Sequence, residues 1–308
     1  MLDVRRLHLL RDLSHLGTIA AVADAHAYTA SAVSQQLAAL QREAGVRLLE
    51  RTGRGVTLTA AGAALVEHAE ALLGVLEAAD ATLATARGGL AGPLRIGAFP
   101  SAVRTLLPEA LTTLGRDHPG LDLRVTELDP VDVPAALRDR RLDVALVHDY
   151  DLVPAEPDPA AEWIPLLDEA VFLAVPVGFD GSDPLTADWI VGSPGTLCHT
   201  VALRLCRDAG LSPRVRHHAD DFTAVLALVS AGHGVAVVPE LGVEHLPAGA
   251  ELRTLPIRRR TRIAHRRGSG THPAIAACVA ALRASAARTS RPAGAATEPG
   301  GDHAATRR

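Results

Sequence analysis

The chain has 308 residues, 48% of them hydrophobic, enough for a small module joined to one or two larger domains with cores of their own. No apolar run reaches membrane-spanning length, the opening "MLDVRRLHLLRDLSHLG" is too evenly charged for a secretory leader, and three cysteines cannot build a disulfide framework. A cytoplasmic protein in a reducing compartment is therefore expected, and a net charge of −4 excludes a polycation.

Every basic side chain other than histidine is arginine, which reads as the codon bias of a GC-rich genome. Charge is unevenly placed. Up to Ala60, seven arginines face five acids, and Glu67, Glu70, Glu77 and Asp80 follow. A weakly basic end on an acidic body suits nucleic-acid contact through that end alone.

Leu7, Leu10, Leu13 and Leu16 give the first segment one apolar face, and Gly17 stops it. Thr18 can cap a short second helix from Ile19 to about Ala25. Thr29 or Ser31 caps a third to about Ala44, where Gly45 stands at the favoured C-terminal position. Val33, Leu37 and Leu40 line its core face. Ala30, Ser31, Ser34, Gln35 and Ala38 form a slim, neutral, hydrogen-bonding stripe on another face. In "VRLLERTGRGVTLT" two short extended pieces flank glycines at a bend, a hairpin wing. Three short helices and a basic wing make a winged helix-turn-helix over residues 1–60.

Thr59 then caps a long helix to about Arg87. Leu65, Ala69, Leu72, Leu76, Ala79, Leu83 and Ala86 alternate four and three apart, the seam of a coiled coil, so Leu65, Leu72, Leu76 and Leu83 are expected to hold two chains together. The competing reading is an amphipathic helix lying on its own domain. "GGLAGP" is a linker. Beyond Pro93 the order strand, helix, strand, helix, strand predicts a parallel sheet through "LRIGAF", "LDLRVTEL" and "LDVALVHD". A second set follows, with strands near 169–175, 189–192, 215–217 and 235–238 and helices near 201–208 and 222–232. Residues 288–308, rich in Pro, Gly and Ala, read as a disordered tail.

The residues "GTIAAVADA", "SAVSQQLAALQREAGVRLLER" and "GRGVTLTAAG", with the long helix after them, resemble the N-terminal domain of LysR-type transcriptional regulators. Further on, "LRIGAFPSA", "LDVALV" and "GHGVAVVPE" match that family's effector domain in element order. The resemblance implies an α/β fold class: a winged helix-turn-helix, a linker helix over 59–88, and a two-subdomain, periplasmic-binding-protein-like effector domain over 92–287. Subdomain I would take 92–162 and 268–287, and subdomain II 163–267, with two strands crossing between them. It also implies dimers or tetramers on interrupted palindromic operators in double-stranded DNA, a small-molecule effector, RNA polymerase as a further partner, and neither membrane nor cofactor. His26 and Tyr28 stand where the family usually has aliphatics, Ala30 where glutamine is common, and Gln35 where arginine is frequent.

The slim stripe would let the third helix sit deep in a major groove. Gln35 can read adenine bidentately, and Ser31 and Ser34 can bond to bases or phosphates, with Thr29 and Ala30 beside them. Arg51 and Arg54 in the wing can enter a minor groove or bind phosphates. In the effector domain Phe99, Pro100 and Ser101, then Thr196, stand where strands turn into helices and suit a small carboxylate; Pro130 joins them by family position. His148 and Asp149 end a strand at the carboxyl edge where ligands gather. Cys198 and Cys206 bracket one helix and keep a thiol-based redox sensor open as an alternative; an effector domain serving only oligomerisation or partner contact is another. No metal-ligand spacing is evident at His199 or His217–His218, and neither a nucleophile elbow nor a phosphate loop is present, so no enzyme is expected.

Overall fold

The computed structural model describes residues 1–53, 55–86, 90–156, 158–179, 187–210 and 212–289. The chain opens with α1 (Val4–Leu16), α2 (Ile19–Ala25) and α3 (Ala30–Ala44). Each is capped by a short polar side chain: Asp3 accepts from the amides of Arg5 and Arg6, Thr18 from that of Ala21, and Thr29 from that of Ala32. Gly45 closes α3 at φ 69°, a left-handed turn that costs glycine nothing. Leu10, Val22, Val33, Leu37, Leu40 and Leu48 are buried together as the core of this head.

The wing pairs β1 (Leu49–Thr52) with β2 (Gly55–Leu58) antiparallel. Gln41 joins wing to helix, its side-chain oxygen accepting from the amides of Leu48 and Leu49 at 3.0 and 3.1 Å.

Helix α4 (Ala60–Ala86) divides the expected seam in two. Ala69 is buried in the head of its own chain and Leu65 packs partly against it, because α1 and the wing lie along the first turns of α4. Leu72, Leu76 and Leu83 remain exposed, with Val75 beside them. Farther along, α4 docks on the effector region. A Cβ at Gly268 would run into the carbonyl oxygen of Gly74, so the two backbones meet where only glycine fits. Glu77 accepts from Arg140 (2.6 Å) and Arg266 (3.2 Å).

The first lobe contains β3 (Gly92–Ala98), α5 (Pro100–Thr105), α6 (Leu107–Asp117), β4 (Leu121–Glu127), a 3-10 turn (Pro130–Asp132), α7 (Val133–Arg138) and β5 (Val144–Tyr150). The single helix expected after β3 is two, because Pro108 brings no N–H to the ladder and the chain restarts there. Then come β6 (Ala161–Pro176), β7 (Asp188–Val191), α8 (Leu197–Asp208), β8 (Arg214–His218), α9 (Phe222–Ser230), β9 (Ala236–Pro239), β10 (Ala250–Arg266) and α10 (Pro273–Thr289).

The larger sheet runs β4-β3-β5-β10-β6-β9. The parallel expectation holds for β3 with β4 and β5, and for β7 with β8. Strands β6 and β10 run antiparallel to each other from Ala161↔Arg266 to Pro176↔Ala250, passing through both lobes. The pairing slips between Thr254 and Arg258 and again between Thr261 and Arg262. Strand β6 starts eight residues before the predicted 169; β10 is absent from the strands read along the chain, though with β6 it makes the two crossing strands that the resemblance implied. At the C-terminus, Arg288 and Thr289 belong to α10, where Arg288 pairs with Glu109; the rest of the expected tail, from residue 290, lies outside the described residues. Arg104 on α5 clasps the lobes, bonding to Asp221, to Thr223 at 2.8 Å and to Glu244 at 3.0 Å.

Candidate DNA-contact face and effector cavity

Val33, Leu37 and Leu40 turn one side of α3 into the core and thereby present the other. Thr29, Ala30, Ser31, Ser34 and Gln35 are all exposed on that outer side. No side chain on this stripe is longer than glutamine, so a duplex backbone could approach closely. Arg51 is exposed on β1; Arg54 lies outside the described residues. Arg42 and Arg47, which sequence reasoning passed over as sites, share a shallow groove with Arg51 around Gly45. Their spacing around a helix-ending glycine was the available signal. Three arginines along one groove, with Glu50 beside them, suit phosphate oxygens.

A cavity of about 200 Å³ lies between the lobes. Phe99, Pro100, Ser101 and His148 line it from the first lobe, Thr196 and Asp220 from the second, and Arg259 from the crossing strand β10. Pro130 stands apart, in a second cavity of about 330 Å³ that shares His148 with the first. Phe99, not Ser101, is the N-cap of α5, and Ser101 lies one residue inside the helix. The Thr196 hydroxyl is engaged as the cap of α8, accepting from His199 N at 3.3 Å and donating to Ser193 O at 2.8 Å. Asp149 points the other way, held by Arg260 and Arg262 at 3.0 Å each.

Arg259 is the residue sequence reasoning missed. It is fully buried, donates to Glu169 (Nε to Oε1, 2.7 Å) and to Ser101 Oγ (3.2 Å), and lies 5.0 Å above the Phe99 ring. Glu169 in turn accepts from Leu241 N at 2.6 Å. The remaining Arg259 nitrogen, Nη1, has no hydrogen-bond partner, and neither has either ring nitrogen of His148. Burial, then the Arg259 charge, hold His148 well below its ordinary value, so the ring is neutral: one N–H and one acceptor. Three buried polar atoms without partners line one cavity. Groups of this kind are rare in folded proteins unless something else satisfies them. Acidic groups line the cavity from both lobes: Asp129 of the first is pushed up by burial, and Asp220 of the second accepts from the amide and hydroxyl of Ser193 at 2.7 and 2.6 Å.

The thiols are poorly placed for exchange. Cys198 and Cys206 lie eight residues apart on one helix, so their Cα atoms are ~12 Å apart, where a disulfide needs less than about 7 Å. Burial pushes the Cys206 thiol up to about 11 and that of Cys278 to about 12, away from the reactive thiolate. Cys198 is raised as well, by burial first, and its sulfur lies 3.8 Å from the Tyr150 hydroxyl.

A winged head, a long helix and two lobes around a cavity define a DNA-binding regulator with a ligand-binding-type domain. Residues 4–63 match the bacterial regulatory helix-turn-helix domain of the lysR family and residues 87–287 the LysR substrate binding domain. The chain belongs to the LysR family and is a LysR-type transcriptional regulator. It is 36% identical over 225 residues to a Mycobacterium avium protein named "Probable hydrogen peroxide-inducible genes activator", covering 69% of this chain and 70% of that one. Another relative, the regulator YofA of Bacillus subtilis, is 29% identical over 248 residues, covering 80% of this chain and 84% of its own. Among solved structures, a hydrogen-peroxide-bound cysteine mutant of Corynebacterium glutamicum OxyR is similar over 94% of this chain and 96% of that one, with 25% identity and a TM-score of 0.53. Full-length BenM shares the fold, at 23% identity and a TM-score of 0.52 over 94% and 98% of the two chains. Among the described residues no helix is long and apolar enough to cross a membrane.

Proposed function

We propose that this regulator reads its operator through α3 and the wing and is switched by a small metabolite held between the lobes. The unpartnered nitrogens of Arg259 and His148, facing one cavity, carry the reading. They suit a carboxylate beside Ser101. A purely anionic ligand would meet Glu127, Asp129 and Asp220 on the same lining, so the effector combines a carboxylate with a hydrogen-bond donor, as hydroxy and amino acids do. About 200 Å³ is below the ~300–1,000 Å³ usual for ligand clefts and favours a compact metabolite. Closure around it would shift the lobes, and α4, docked at Gly268 and Glu77, would pass the change to the head. The ligand drives this only by binding one arrangement better than the other.

The exposed Leu72, Val75, Leu76 and Leu83 suit a second copy packed along α4, giving the two-fold symmetry that an interrupted palindrome would mirror. RNA polymerase as a partner and a cytoplasmic location belong to the same proposal, as does the absence of catalysis.

The experiment is a thermal-shift series of small acids with the full chain, followed by operator binding. A ligand at one hundred times its Kd stabilises by about 2.7 kcal/mol. We expect a hydroxy or amino acid to raise the melting temperature, and His148→Gln to blunt that rise. A second reading, oxidation of Cys198, draws on the names of the relatives and on the position of Cys198 in the cavity lining. It predicts that peroxide changes operator binding and that Cys198→Ser abolishes the change. If peroxide alone acts, the metabolite reading fails.

A further inference from the structure

His8 and Asp12 stand four apart on α1 and so share a face; His26 follows the last turn of α2. The three converge. Asp12 Oδ2 lies 2.5 Å from His26 Nε2 and 3.5 Å from His8 Nε2, and the three ligand atoms lie within 4.8 Å of one another. The other carboxylate oxygen, Oδ1, is held by Arg11 at 2.8 Å from Nε, which aims Oδ2 at the imidazoles. The two imidazole rings meet edge to face, 5.1 Å between centroids. The carboxylate is buried, while both histidines are part-exposed, and His8 opens on a cleft of about 290 Å³ between head, α4 and first lobe. Among the described residues, this is the one such cluster of three.

We propose that His8, Asp12 and His26 form a binding site for a divalent transition ion of the zinc class. Two imidazoles and one carboxylate are borderline ligands suited to zinc, cobalt or nickel, and too nitrogen-rich for magnesium or calcium. Bonds of ~2.0–2.2 Å put tetrahedral ligand atoms ~3.3 Å apart, so small side-chain rotations complete the set. Three protein ligands leave a fourth position for water, reached through the cleft. Arg11 on the distal oxygen supplies the outer hydrogen bond that orients a ligating carboxylate. Ligation through Nε2 replaces the His26–Asp12 hydrogen bond with bonds from both atoms to the ion. A bound ion would staple α1 to the turn between α2 and α3. Tyr28, stacked on the His26 ring at 6.1 Å, stands just before the helix that faces DNA, so occupancy would fix where α3 begins.

The test uses the full chain, stripped with a chelator and titrated with Zn²⁺ alone by calorimetry and with Co²⁺ by visible absorption. We expect one tightly held ion per chain and the ligand-field bands of four-coordinate cobalt without thiolate charge transfer. His8→Gln and His26→Gln, each checked for native circular dichroism, should weaken uptake by about ten-fold or more. Cys198→Ser and Cys206→Ser should leave it unchanged. No uptake, uptake indifferent to both glutamine variants, or a thiolate band in the wild-type cobalt spectrum would each overturn the site. The last readout needs no variant to fold.

Discussion

The proposed DNA-contact face and the cavity between the lobes contain similar side chains, serine, threonine and arginine, but assemble them differently. The face comes from one helix and its adjoining wing, within about two dozen residues. Its side chains are exposed, and most have no role in holding the head together. The cavity draws on both lobes and the strand that crosses them, and its central arginine is also the partner of a buried carboxylate. Changes on the face should therefore alter binding and spare stability, whereas changes in the cavity should alter both.

The largest expected effect is at Arg259. Arg259→Met leaves Glu169 buried and charged, with Leu241 N as its remaining partner, a loss of about 3–5 kcal/mol in unfolding free energy. Adding Glu169→Gln removes the orphaned charge and should restore most of that stability while the effector response stays absent. Urea unfolding and the thermal-shift series read the two effects separately. If the double variant remains as unstable as the single one, packing of the guanidinium on Phe99, not charge pairing, holds this point.

This residue also shows why the cavity was half legible. Strand β10 carries "IRRRTRIAHR", three arginines in succession, which reads as a charged loop. In the structure Ile257, Arg259, Thr261 and Ile263 alternate inward with Arg258, Arg260 and Arg262. The period of two is intact, but a buried arginine occupies an apolar position, and only a carboxylate ninety residues away in sequence makes that tolerable. Local pattern carries no such information. Pro165 hid the first half of β6 in the same way, since proline within a run argues against a strand. The head was legible almost to the residue because its caps, its apolar spacing and its terminal glycine all lie within one short stretch. What it concealed was again non-local: the meeting of His8 with His26.

A change on the face should behave oppositely to Arg259. Gln35→Ala removes an exposed side chain, so unfolding should move by less than about 0.5 kcal/mol. Loss of one bidentate base contact should cost about 1–3 kcal/mol of operator affinity and relax preference at one base pair. Binding measured across salt concentrations should keep its slope, since no phosphate contact is lost. A reduced slope with preference intact would place Gln35 on the backbone.

Acid should act on the cavity first. His148 is held well below 6.5 by burial and then by the Arg259 charge. Below pH 6.5 the unfolded chain gains a proton that the folded chain resists, so stability falls with pH by about 1.4 kcal/mol per unit until the folded value is reached. Above pH 6.5 this group contributes no pH dependence. His148→Gln should reduce the difference between urea melts at about pH 7.5 and about pH 5.5, leaving the share from His8, which burial also lowers. An unchanged slope would mean that the cavity admits water enough to protonate the ring in place.

The smallest effects test the comparison most sharply, because each region has a threonine in the same local role. Thr29 caps α3, accepting from Ala32 N at 3.2 Å, and Thr196 caps α8, accepting from His199 N at 3.3 Å. Alanine at either position should cost about 1 kcal/mol through the lost cap. Serine keeps the hydroxyl and should restore that stability in both. Binding separates them. Thr29 is exposed beside Ser31, so Thr29→Ser should leave operator affinity near the wild-type level, while Thr29→Ala weakens it through a frayed helix start. Thr196 faces the cavity with its hydroxyl already donating to Ser193 O, which leaves the ligand its methyl and the α8 amides. Thr196→Ser should then keep the cap and still lower effector affinity, measured by calorimetry, by the contact of one methyl group, about 0.8 kcal/mol. Equal affinity in the serine variant would show that the methyl does not touch ligand and that Thr196 serves only as a cap.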